Sequence, residues 1–289
     1  MTLLVSWVGV VDRNRPASLY IASDSRISWG SSNHNFDSGR KVFGFKNSPD
    51  IMGYCGDVLF PSIVINQIVE MADNGLLFEN NMTSIEKFKK VEYCIQEQFK
   101  LYPNEVNTII CDTLKIIFAS RDSRYSFTCH VMSWKRGNEW VCEKVEIPEK
   151  SGVLTSLGSG KNEFDQYLSK YQSNKSLNSG TSRSVFHCFC DVLENMKDRQ
   201  CGGSPQLVGL YNIGNARNFG IIYQNKRYVL GMEVPLKHTL LSSLEWRNAL
   251  FEICDVNTLK IMGKAQKQPN QLSKSIKRQL PNAPQDEPM

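Results

Sequence analysis

The sequence predicts an α/β protein of α+β arrangement: a four-layer α/β/β/α sandwich, with two stacked, mainly antiparallel sheets between two helix pairs. Three observations lead there. Runs rich in β-branched and aromatic residues come first, up to Cys55. Two segments with apolar residues at helical spacing follow, and the same order of strands then helices repeats before a closing group of strands. Finally, 289 residues that are 41% hydrophobic suffice for a sizeable core.

Residues 3–11 (LLVSWVGVV) and 18–23 (SLYIAS) flank the polar turn DRNRPA and read as a hairpin. Short strands at 41–45 and 51–55 enclose a turn at Asn47, Ser48, Pro49 and Asp50. Residues 57–73 read as a helix, with Asp57 as N-cap and Pro61 in the first turn, where proline is tolerated. In the next helix, 84–101, Ile85, Phe88, Val91, Ile95 and Phe99 form the inner face, while Lys87, Lys90, Glu97 and Lys100 point outward. Residues 108–147 return to strands, with RDSR and KRGNE as turns, and 153–157 is a strand ended by Gly-Ser-Gly. Helices at 162–171 and 181–197 precede strands at 207–211, 219–223 and 228–234. These elements make up one domain over residues 1–235. A C-terminal helical extension is expected over 236–263, with its helix at 239–259. Residues 264–289, rich in Gln, Lys, Pro and Asn, are expected to be a disordered basic tail.

The net charge of +5 is chiefly a property of that tail, where five basic and two acidic residues leave about +2 for the rest of the chain. The nearly neutral body argues against a nucleic-acid-binding face. No window approaches the roughly 20 apolar residues of a spanning helix, and the start lacks the basic region and cleavage site of a signal peptide, so no membrane association and a cytoplasmic location are expected. The nine cysteines include no Cys-x-x-Cys pair, and His34, His130, His187 and His238 follow no ligand spacing; no metal site is expected.

The residues that point to chemistry begin at Thr2. Methionine followed by a small residue is the usual context for removal of the initiator, which leaves threonine with a free α-amine. Such a residue is nucleophile and base together: the hydroxyl attacks, and the amine, with an ordinary pKa of about 7.7–8.0, accepts its proton. Thr2 leads directly into a strand, so the sheet fixes its position. The second strand ends in Ala-Ser-Asp24-Ser-Arg26, the third opens Gly-Arg-Lys41-Val, and the fourth ends Gly-Tyr-Cys-Gly56-Asp. Further on come Gly158-Ser159-Gly160 and Asp198-Arg-Gln-Cys201-Gly202-Gly203.

These motifs, in this order, resemble those of the proteasome β-subunits and their HslV-like bacterial relatives, a branch of the N-terminal-nucleophile (Ntn) hydrolases. The resemblance implies an Ntn-type sandwich and a threonine-type amide or peptide hydrolase acting through an acyl-enzyme ester. In it Lys41 favours ionisation of the Thr2 hydroxyl, Asp24 balances Lys41, and the Gly56 N–H receives the oxyanion. Ser159, Asp198 and Cys201 surround the amine, Arg26, Gly202 and Gly203 support the loop, and Ile27, Phe43, Tyr54 and Val58 line the pocket before the scissile bond. No cofactor is implied. The resemblance also implies a homo-oligomer, ring or dimer, that takes a peptide or protein substrate and works with an ATP-dependent unfoldase. The alternatives are a non-catalytic ring subunit or binding module, or an amidohydrolase acting on a small amide. The chain departs from the family pattern in Cys201, which stands where the family has serine, in the DRNRPA insertion, and in the length beyond Tyr228.

Overall fold

The computed structural model describes residues 2–11, 15–29, 34–103, 112–173, 180–235 and 239–263. The first hairpin is β1 (Leu4–Val11) and β2 (Arg15–Ser23); the tip of the DRNRPA turn lies outside the described residues. A two-stranded ribbon, β3 (Ile27–Ser28) and β4 (Asn35–Phe36), precedes β5 (Val42–Gly44), β6 (Asp50–Gly56), α1 (Leu59–Asp73) and α2 (Ser84–Leu101). Then come β7 (Thr113–Ser123), β8 (Ser126–Lys135), β9 (Val141–Val145), β10 (Gly152–Leu157), α3 (Lys161–Ser173) and α4 (Ser182–Asn195). The remainder is β11 (Gln206–Tyr211), β12 (Arg217–Asn218), β13 (Gly220–Tyr223), β14 (Lys226–Val229), β15 (Met232–Glu233), β16 (Trp246–Asn248) and β17 (Ile253–Cys254).

Two five-stranded antiparallel sheets, β10-β1-β2-β11-β12 and β5-β6-β7-β8-β9, form the middle layers of the expected sandwich. The period-2 alternation of side chains builds three cores from them. On the first sheet, Val5, Trp7, Tyr20, Ala22 and Leu207 face α3 and α4. The intervening Leu4, Leu19, Ile21 and Val208 meet Ile51, Ile117, Ala119 and Cys129 of the second sheet. The opposite face of that sheet, with Met52, Tyr54, Ile116 and Phe118, packs on α1 and α2.

The helix starts follow from local chemistry. Thr83 and Glu86 close a capping box on α2. At α1 the Asp57 carboxylate accepts the Phe60 N–H at 3.2 Å, although Val58 is the capping residue by backbone geometry. The inner face of α2 differs from the expected one in two positions: Ile85 is 54% exposed, whereas Lys87 is buried and donates to Asp50 at 2.9 Å. The stripe centred on Phe88, Val91, Ile95 and Phe99 passes over positions 84 and 87, on either side of the Ile85 that hydrophobicity alone placed there.

The C-terminal segment overturns the helical expectation. Residues 239–243 form a single 3-10 turn and the rest adds strands: β16 pairs parallel with β13, and β17 pairs with β16, in a third five-stranded sheet of order β15-β14-β13-β16-β17. This sheet prolongs the first, since Phe219, between β12 and β13, donates its N–H to the Leu207 carbonyl at 3.1 Å. Tertiary packing outweighs the weak helical pattern here: Trp246 lies against Gly220, and Phe251 enters the main core beside Trp7 and Tyr20, with ring centroids 6.2 and 5.2 Å away. The expected strand 228–234 is likewise split, by a turn at Leu230 and Gly231, both at positive φ. The proposed basic tail lies outside the described residues.

Candidate active site

Thr2, Asp24 and Lys41 come together where β1 begins, β2 ends and β5 begins. The Lys41 ammonium donates to the Thr2 hydroxyl oxygen at 2.9 Å and to Asp24 Oδ1 at 2.9 Å. All three are buried, with Lys41 and Asp24 fully so. Desolvated charges persist only when their hydrogen-bonding capacity is filled. Asp24 meets this condition: Oδ1 also accepts the Leu3 N–H at 3.1 Å, and Oδ2 accepts the Arg26 and Gly202 N–H groups at 3.2 and 3.0 Å. The carboxylate thus ties the strand carrying Thr2, the end of β2 and the Gly202 loop to one point.

The Gly158-Ser159-Gly160 turn wraps the Thr2 carbonyl. Gly160 donates its N–H to that oxygen at 3.3 Å, and a Cβ on Gly158 would lie 1.9 Å from it, at φ +91°. Only glycine fits there. The Ser159 hydroxyl lies 3.5 Å from Cys201 Sγ, which is 3.5 Å from Asp198 Oδ2. Burial pushes the Asp198 carboxyl up, but hydrogen bonds from Ser159, the Gln200 N–H and Cys201 outweigh it and leave it below the ordinary carboxylate value. Burial, with Asp24 and Asp198 nearby, pushes the Cys201 thiol up to about 12. At neutral pH it is therefore a hydrogen-bond donor rather than a thiolate nucleophile.

Gly56 ends β6 at φ +101°, and the Asp57 N–H that follows bonds to the Thr113 carbonyl. Arg26 reaches the 198–203 turn, donating to the Arg199 and Cys201 carbonyls at 3.1 and 3.4 Å. Its remaining donors grip Asp37 with two parallel bonds of 2.7 and 2.8 Å. Gly203 holds φ +72° beside Ser25 and Asp37.

The four pocket residues differ in access. The rings of Phe43 and Tyr54 stack at 6.3 Å and are buried, and the Tyr54 hydroxyl donates to the Arg40 carbonyl at 3.1 Å. Ile27, packed on Gly39, and Val58, at the start of α1, keep partial exposure. The Arg40 guanidinium covers the Phe43 ring at 4.3 Å, and burial lowers its pKa to about 10.

Sequence reasoning missed Asp37, Gln206, Ser25 and Ser204. Asp37, Gln206 and Ser204 fall in no motif, Ser25 stands inside the Asp24-Ser-Arg26 triplet with no role assigned to it, and each acts through contacts across 11 or more residues of chain. Among the described residues no cluster of His, Cys, Asp or Glu could hold a metal ion, and no helix is long and apolar enough to cross a membrane. Eight cysteines are free; Cys111 lies outside the described residues.

No family model and no curated protein matches the sequence. Among solved structures, the helical assembly of the Anbu complex from Pseudomonas aeruginosa is similar, with a TM-score of 0.52 at 14% identity over 83% of this chain and 90% of that one. An Anbu (Gly-1) mutant from Hyphomicrobium sp. strain MC1 gives a TM-score of 0.48 at 11% identity, over 80% and 88% of the two chains. The first of these corrects the resemblance drawn from the sequence: it is an Anbu complex, not a proteasome β-subunit or HslV, and at 14% identity the likeness shows the fold alone. The motifs report glycine turns and a buried ion pair, features that do not by themselves separate one branch of the fold from another. The architecture is thus the mixed α/β, Ntn-like fold shared with the Anbu complex.

Proposed function

We propose that the chain is a threonine-type amide or peptide hydrolase with Thr2 as its N-terminal nucleophile. The observation that carries this reading is the Lys41 ammonium 2.9 Å from the Thr2 hydroxyl oxygen, held by a fully buried Asp24. Removal of Met1 frees the Thr2 amine. That amine takes the hydroxyl proton as Oγ attacks the substrate carbonyl, and Lys41 stabilises the developing alkoxide. The Gly56 N–H faces the oxyanion. The amine then passes its proton to the departing nitrogen, leaving an ester on Thr2, and activates the water that releases the acid. Ser159, Asp198 and Cys201 keep the amine and that water oriented, with Arg26, Gly202 and Gly203 holding their loop.

Ile27 and Val58 would form the accessible wall of the pocket over a floor of Phe43 and Tyr54. This surface suits a small or medium apolar side chain, and the Arg40 cation over Phe43 disfavours a basic one. A fluorogenic panel cleaved fastest after Arg or Lys would remove this assignment.

Intact mass before and after a β-lactone or epoxyketone probe tests the chemistry. We expect loss of Met1, one adduct at Thr2, and no turnover in a folded Thr2→Ala variant; undiminished turnover in that variant, or a retained Met1, would instead favour a non-catalytic member of this fold. The proposal includes self-association, because the similar Anbu complex is a helical assembly, and sedimentation checks it. An unfoldase partner rested on the branch now corrected and is not part of it.

A further inference from the structure

Gln206 opens β11 and is fully buried. Its side chain bridges the two strands that carry the buried charges. Oε1 accepts the Lys41 N–H at 3.0 Å, while Nε2 donates to the Asp24 carbonyl at 3.1 Å and to the Gly39 carbonyl at 2.7 Å. The amide orientation is settled by these partners, since a flipped amide would face two carbonyls with an oxygen. The turn at Gly231 lies against it: a Cβ there would sit 3.2 Å from Nε2 and 2.8 Å from the Ser25 Cβ, at φ +91°. Ser204 ties this turn in place, donating to the Gly231 carbonyl at 3.3 Å, while its own carbonyl accepts the Ser25 hydroxyl at 2.9 Å.

We propose that Gln206 is a positioning residue that sets the separation of Asp24 and Lys41, and thereby the aim of Lys41 at Thr2, with the Gly231 turn holding its amide in place. It grips the backbones of both residues and leaves their side chains free to bond each other. The proposal rests on the hydrolase reading for its effect on rate, but not for the clamp itself. Because misplacement of reacting groups by about 1 Å costs on the order of 10²-fold in rate, a small release of β5 from β2 matters.

The test compares Gln206→Leu and Gln206→Glu with the wild-type chain, using the β-lactone probe from pH 5 to 8 and hydrogen exchange at the Lys41 N–H. Gln206→Leu has neither donor nor acceptor, and we expect its labelling of Thr2 to fall at least about tenfold at every pH. An ionised Gln206→Glu repels the two carbonyls, whereas its protonated form regains a donor, so its rate relative to wild type should rise as pH falls. In Gln206→Leu the Lys41 N–H should lose protection. If the folded fraction of both variants labels at the wild-type rate with the wild-type pH profile, the residue is merely structural and the proposal is overturned. If the wild-type chain itself does not label, the hydrolase reading fails, and protection at Lys41 then decides the clamp: retained protection in Gln206→Leu overturns it, and loss supports it.

Discussion

At the residue scale, the site depends on charges that have no exit to water. Replacing Asp24 by Asn leaves the Lys41 ammonium fully buried without a counter-charge, a change that costs about 3–5 kcal/mol where such pairs are broken from one side. Urea unfolding of Asp24→Asn should show that loss, and a midpoint equal to wild type would mean the pair contributes nothing. Gly158→Ala puts a methyl group 1.9 Å from the Thr2 carbonyl oxygen. Thr2 must then move, so probe labelling should vanish while far-UV circular dichroism still reports a folded chain. Labelling at the wild-type rate would show that the 158–160 turn does not position Thr2. Thr2, Asp24 and Lys41 were legible in the sequence because each sits at the end of a recognisable strand. Gln206 and Asp37 were not, because a glutamine opening a strand and an aspartate in a loop are commonplace until folding brings distant carbonyls and a guanidinium to them.

At the element scale, α4 carries an opposed pair of titrations. Burial raises the Asp191 carboxyl to about 7, with Glu194 adding to it, and lowers the His187 imidazole to about 4. The two face each other across 3.6 Å, and the Tyr171 hydroxyl of α3 also donates to Asp191. Between pH 4 and 6.5 the folded chain holds a proton on Asp191 that the unfolded chain has released, so this group makes stability fall as pH rises. Over the same window the unfolded chain holds a proton on His187 that the folded chain lacks, so stability rises. The contributions offset one another in the wild-type chain. Asp191→Asn removes the first, and its thermal midpoint should climb from pH 4 to 6.5 relative to wild type; parallel curves would refute this. The helices themselves were legible from their spacing, but α2 turned its stripe toward Lys87 because Asp50, in a different sheet strand, waits there for a cation.

At the scale of the whole molecule, the C-terminal segment is part of the body. Trp246 is 2% exposed and Phe251 4%, the first against β13 and the second among Trp7, Tyr20 and Phe186. Removing either side chain should cost about 3–5 kcal/mol, as for large aromatic groups in cores. A chain ended at residue 235 should accordingly lose cooperative unfolding, whereas an unchanged melting transition would mark the segment as a separable appendage. The Gly231 turn extends this dependence to the site, because the sheet that the segment completes is the one that rests on Gln206.

The sequence by itself determined the order of the main strands and helices as far as β13, the four-layer arrangement and the meeting of Asp24 and Lys41 with Thr2. All of these are written in local periodicity or in short motifs whose glycines and charges have few alternatives. Only the tertiary structure decided that the last described segment is sheet, that Lys87 is buried, and that Gln206 spans Asp24 and Lys41. Such features are set by partners far away along the chain, and short strands such as β16 and β17 have too few residues for periodicity to oppose the packing of one tryptophan and one phenylalanine.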